Sequence, residues 1–156
     1  LIARGEARLS VQNLWEVVND VRSLVQLHTS ASGVRIEIDD GLRGFDVIAD
    51  RVQARQVLMN LLRNALDALA GTPQPAIAIS ASATDEFVQI AIVDNGPGFG
   101  GNTPEALFAP FMTTKAHGVG IGLTICRMIV ESCGGRIWAE ENAGGGATFF
   151  CTLPKC

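Results

Sequence analysis

Phe87-Val88-Gln89-Ile90-Ala91-Ile92-Val93-Asp94-Asn95-Gly96-Pro97-Gly98 is an apolar run that ends in a carboxylate and then in glycines. Val88, Ile90 and Ile92 alternate with period two, which predicts a half-buried β-strand, and Asp94 falls on the same face as those three. A carboxylate closing an apolar row is badly placed for packing. It suits a recessed acceptor for an exocyclic amine, such as the N6 group of adenine. Gly96 and Gly98 would let backbone approach a flat ligand closely. The same letters also spell a strand ending in an Asp-initiated turn.

Upstream, Asp50 is a good helix N-cap with Gln53 at the reciprocal capping position. The helix it opens is expected to run to about Ala70, where Gly71-Thr72-Pro73 stops it. Asn60 and Asn64 are four apart and project from one face of this helix, which Val57, Leu58, Leu61, Leu62, Ala65 and Leu66 otherwise make apolar. Amides beside a core need partners, and a ligand or a metal-bound water would supply them; backbone or solvent would serve equally well. Strands are expected near Ala76 to Ala81 and Phe87 to Asp94, joined by a turn at Thr84-Asp85-Glu86.

Downstream, the chain from Asn95 to Gly122 is rich in glycine and proline and has little periodicity. Loops of that length inside a domain are functional or disordered. Its end, Gly118-Val119-Gly120-Ile121-Gly122-Leu123, opens directly into a helix expected over Leu123 to Cys133. Glycines there free backbone amides to face an anion at a helix N-terminus; a flexible hinge is the plainer reading. No strand leads into it and no Lys-Ser/Thr closes it, so it matches neither the dinucleotide nor the P-loop fingerprint. Lys115, just upstream, is placed to bring a cation to terminal phosphates, or to be a solvated loop lysine. Strands near Arg136 to Glu140 and Ala147 to Leu153 flank Gly144-Gly145-Gly146, after which Thr148 would set a hydroxyl near Asp94 if the two strands are neighbours. That segment is otherwise an ordinary hairpin turn.

At the other end, Leu14, Val17, Val18, Val21, Leu24 and Val25 form a stripe that predicts a helix over residues 9–28. Val34 to Ile38 and Phe45 to Ala49 read as strands around Asp39-Asp40-Gly41. Strands and helices mix without strict βαβ alternation, so the expected fold is a two-layer α/β sandwich of a mixed sheet and about three helices. The 47% hydrophobic content of the 156 residues supports a core and excludes disorder. A net charge of −4 leaves no basic footprint for nucleic acid. The least charged stretch, Leu107 to Ile125, is broken by prolines, glycines and Lys115 and is no membrane span. Cys126, Cys133, Cys151 and Cys156 lack metal-ligand spacing and read as reduced, small apolar residues, which favours a cytoplasmic setting. The opening Leu1-Ile2-Ala3-Arg4, without methionine or signal peptide, reads as an excision from something longer.

In chain order, Asn60 to Ala65, Asp94 to Gly98, Gly118 to Leu123 and Gly144 to Phe149 resemble the N, G1, G2 and G3 boxes of the Bergerat-fold ATPases: histidine kinases, type II topoisomerases, ninety-kilodalton heat-shock chaperones and mismatch-repair ATPases. Phe108-Ala109-Pro110-Phe111 is similar to the F box of the histidine-kinase branch. The run Phe111 to Lys115 before the Gly118 loop resembles the nitrogen-regulatory and oxygen-sensing kinases. The resemblance covers about residues 34 to 154.

The resemblance implies a site for ATP or ADP and Mg²⁺. Asn64 would hold Mg²⁺, Asp94 would accept from adenine N6 with Thr148 in support, and Gly96 and Gly98 would line the base pocket. Gly118, Val119, Gly120, Ile121, Gly122 and Leu123 would surround the phosphates, under a lid of about residues 97–119. Asn60 stands where the hydrolysing branches carry a glutamate base. An amide has no useful basicity, so the attacking group should be an external imidazole rather than an activated water. Many kinases have Lys or Arg three residues after the metal asparagine; Asp67 stands there instead, leaving Lys115 to counter phosphate charge. Residues 1–30 resemble the tail of a dimerisation helix and 31–156 the catalytic domain. His28 is followed by Thr29 rather than an acid and reads as an ordinary helix-end residue, and His117 falls in the lid. The implied activity is transfer of the γ-phosphoryl group to a histidine of a separate dimerisation domain, with a response-regulator receiver as indirect partner and no contact with nucleic acid or membrane. The alternatives are an ATP hydrolase, a serine kinase of the anti-sigma type and a catalytically silent nucleotide-binding module.

Overall fold

The computed structural model describes residues 7–29, 33–101, 103–108 and 122–156. Along them run β1 (Leu9–Asn13), α1 (Leu14–Thr29), β2 (Arg35–Ile38), β3 (Asp46–Asp50), α2 (Arg51–Ala68), β4 (Ala76–Ala83), β5 (Phe87–Asp94), α3 (Gly122–Ser132), β6 (Ile137–Glu141) and β7 (Ala147–Pro154). Short 3-10 turns occupy Asp40–Gly44 and Glu105–Phe108.

The main sheet has five strands in the order β2-β4-β5-β7-β6. Only β2 and β4 are parallel; the other neighbours are antiparallel, so the sheet is mixed. Val88, Ile90 and Ile92 of β5 are buried, as are Phe149, Cys151 and Leu153 of β7 beside them. The three helices cover this apolar face. Leu58, Leu61 and Leu62 of α2 are at most 2% exposed, which puts α2 in the middle of the helical layer. The two-layer sandwich with about three helices is the observed architecture.

Local chemistry explains the element ends. Asp50 caps α2: its side chain accepts from Gln53 N at 3.0 Å, and Arg8 N donates to its other oxygen at 2.7 Å. These main-chain donors, that of Arg8 foremost, hold the Asp50 carboxyl below its ordinary 3.8. Helix α3 closes through Gly134 N and Gly135 N, which donate to the Glu131 and Val130 carbonyls at 3.0 Å each.

The structure corrects one reading of the N-terminal region. Residues 9–13 are not helical: β1 runs antiparallel to β3, Leu9 opposite Asp50 and Asn13 opposite Asp46, in a separate two-stranded sheet. Leu14, Val17, Val18, Val21 and Val25 are buried in the same core as α2 and the sheet. Arg51 of α2 also ties back to this region, donating to Gln12 Oε1 at 2.8 Å and to Asp20 Oδ2 at 2.6 Å.

Candidate functional site

Asp94 ends β5 on the helix-facing side of the sheet and is 3% exposed. Its Oδ1 accepts from Gly96 N at 2.9 Å and from Ala147 N at 3.3 Å. Burial raises its pKa above the ordinary 3.8, against the pull of those two donors. Among the described residues no donor reaches Oδ2. Every fully enclosed side-chain oxygen there does have a partner, so Oδ2 is not sealed off. A carboxylate with one oxygen committed to backbone and one presented is a fixed acceptor for a planar N–H donor.

The end of α2 closes over this carboxylate. A methyl group on Gly96 would lie 3.0 Å from the Ala68 carbonyl oxygen and 3.2 Å from Asp94 Oδ1, so any side chain there would crowd helix and strand. Asn64 lies one turn before Ala68 on that side of the helix, half-buried, and Asn60 a further turn back, also half-buried. Asn60 is in contact with Cys126 of α3, whose thiol donates to the Val57 carbonyl at 3.6 Å. Burial pushes that thiol up to about 11 and Cys151 to about 12, so both stay protonated and inert at neutral pH. Asp67 is exposed on the last turn of α2.

Gly122 is the first residue of α3, and Leu123 is half-buried against the core. Thus α2 packs against both β5, which ends in Asp94, and α3, which begins at Gly122. Lys115, Gly118, Val119, Gly120 and Ile121 lie outside the described residues, as do His117, the side chain of His28 and most of the F box. Its first residue, Phe108, is described: it is buried and meets Phe149 edge-on at 6.2 Å.

Thr148 does not stand where the sequence suggested. It pairs with Val93, whereas Ala147 is the residue opposite Asp94. Cross-strand partners share a face, so Thr148 points to the far side of the sheet from the carboxylate. Its hydroxyl donates to Asn142 Oδ1 at 2.8 Å. Sequence reasoning also passed over Glu141, whose Oε2 accepts from Phe99 N at 2.9 Å just beyond Gly96 and Gly98. An exposed glutamate at a strand end carries no signal by which to find it.

Among the described residues no group of three or more His, Cys, Asp or Glu is placed to hold a metal ion. No helix there is long and apolar enough to cross a membrane. A single amide such as Asn64 fits Mg²⁺ in the way that ion is normally held, by one or two protein oxygens with water and substrate phosphates completing the shell.

The profile described as "Histidine kinase-, DNA gyrase B-, and HSP90-like ATPase" matches residues 49–156. Sensor protein FixL of Bradyrhizobium diazoefficiens is 40% identical over 98% of this chain, which spans 30% of that protein. Sensor histidine kinase ZraS of Escherichia coli is 32% identical over 99% of the chain, again a third (33%) of the relative's length. The solved catalytic domain of histidine kinase ThkA superposes with a TM-score of 0.81 at 33% identity, covering 95% of this chain and 96% of that one. ThkA in complex with the response regulator protein TrrA matches with a TM-score of 0.78 at 30% identity, over 95% of this chain and 42% of that one. Fold and relatives agree that the chain belongs to the histidine kinase-, DNA gyrase B- and HSP90-like ATPases, as an ATP-binding catalytic domain of the sensor histidine kinase kind.

Proposed function

We propose that this domain binds Mg-ATP in the cleft and donates the γ-phosphoryl group to a histidine of its own dimerisation domain, in the cytoplasm. The imidazole nitrogen would bond to the γ-phosphorus as the bridging oxygen leaves with ADP. The phosphoryl group would then pass to a response-regulator receiver. The observation that carries the reading is the buried Asp94 carboxylate, gripped at Oδ1 by two main-chain donors and open at Oδ2 beneath the end of the asparagine-bearing helix.

In this reading Asp94 accepts from adenine N6, and Gly96 and Gly98 let the loop lie close to the ring. Asn64 would hold Mg²⁺, which when bound would supply positive charge to neutralise the phosphates. The start of α3 at Gly122 and Leu123, with Gly118, Val119, Gly120 and Ile121 before it, would receive phosphates on backbone N–H groups. Lys115 would add a cation there, and Asp67 would stand at the rim. Asn60 contacts a protonated thiol and has no useful basicity, so nothing at that position activates water. Catalysis then rests on positioning and on electrostatic neutralisation.

Calorimetry with Mg-ADP tests the pocket. The wild-type domain should bind, and Asp94→Ala should lose affinity by more than about tenfold, the scale of one charge-assisted hydrogen bond plus an emptied acceptor site. Undiminished binding by the variant overturns the base-pocket assignment. Brisk phosphate release by the isolated domain would instead favour hydrolysis.

A further inference from the structure

The sheet register sets one row of residues across four strands: Ile77 opposite Asp94, Asp94 opposite Ala147, and Ala147 opposite Glu141. Directly paired residues share a face, so Asp94 and Glu141 flank the small Ala147 side chain on the helix-facing side. Their backbones stand two strands apart, about 10 Å. The loop leaving Asp94 crosses this gap. It begins with Gly96 N on Asp94 Oδ1 at 2.9 Å and ends with Phe99 N on Glu141 Oε2 at 2.9 Å.

The far anchor is closely fitted. Gly98 has a φ of +88°, and a Cβ there would collide with the Glu141 carboxylate, so this contact requires glycine. Phe99 is 7% exposed, and its ring meets Phe149 edge-on at 6.3 Å. The aromatic contact draws the side chain down while Glu141 takes the main-chain donor. The loop and its two carboxylate anchors thus lie on either side of Ala147 of β7.

We propose that Glu141 is a positioning residue of the nucleotide pocket: its carboxylate fixes the loop Gly96–Phe99 across β7, so that the loop walls the base site opposite Asp94. The proposal rests on the nucleotide reading above. Glu141 itself touches no nucleotide; it acts through the Phe99 amide.

The test is a Mg-ADP titration of wild type, Asp94→Ala, Glu141→Ala and Glu141→Gln, each with its thermal midpoint and the ¹H–¹⁵N signal of the Phe99 amide. Glutamine keeps an acceptor oxygen and alanine does not. Glu141→Ala is expected to weaken binding by about fivefold to tenfold, as when a charge-assisted hydrogen bond ordering a loop is given up. Its midpoint should be unchanged and its Phe99 amide proton should move upfield. Glu141→Gln should restore affinity to within about twofold. Equal losses in the two variants, or wild-type affinity in Glu141→Ala, overturn the proposal while a loss in Asp94→Ala leaves the nucleotide reading standing. Failure of the wild type to bind overturns both.

Discussion

Asp94 shows what a recessed acceptor costs. Because burial raises its pKa, the folded state favours the protonated form. Its stabilising contribution is therefore full below 3.8 and is lost as pH rises through the raised value. Asp94→Asn keeps an oxygen for the Gly96 and Ala147 amides and carries no charge. The variant should melt higher than wild type at neutral pH, with the gap closing in acid, while Mg-ADP affinity falls. Melting curves across pH check the first half and titration the second. At this scale the sequence was readable where side-chain type alone decides the matter: a carboxylate at the end of an apolar row pointed to Asp94. It was unreadable where register decides. The hairpin through Gly144-Gly145-Gly146 sets Ala147, not Thr148, opposite Asp94, and a shift of one residue moves a side chain to the other face.

Elements were legible in proportion to the regularity of their burial. The apolar runs of β5 and α2 gave their limits to within two residues. Strand β1 escaped because its pattern is inverted. Leu9 and Val11 face solvent at 60% and 56% exposure, while Gln12 turns inward and bonds Ser10 and Arg51. Apolar spacing therefore pointed the wrong way. The cap of α2 makes a quantitative claim: Asp50→Ala should cost about 1 kcal/mol by chemical denaturation near neutral pH. Since the Asp50 pKa is depressed, that stability is present above 3.8 and disappears as pH falls through the lower folded value. Where α3 meets the sheet, the buried Cys126 and Cys151 should resist alkylation in the native protein while the exposed Cys156 reacts. Labelling followed by mass spectrometry, with and without denaturant, distinguishes them.

For the whole molecule, the decisive fact is that α1 shares the core of α2. Leu14 is 1% exposed, and Leu14→Ala should cost about 2–5 kcal/mol by denaturation. A chain beginning at residue 31 should show no cooperative melting. The resemblance could not reveal this, because its boxes say nothing about which helices complete the core. Asp50 carries one more consequence. A single carboxylate receives Arg8 N from just ahead of β1 and Gln53 N from the first turn of α2. The two segments are knotted at one side chain, so neither frays alone. Deuterium should enter the Arg8 and Gln53 amides in step, and slackening the chain ahead of β1 would unwind the opening turn of the asparagine helix.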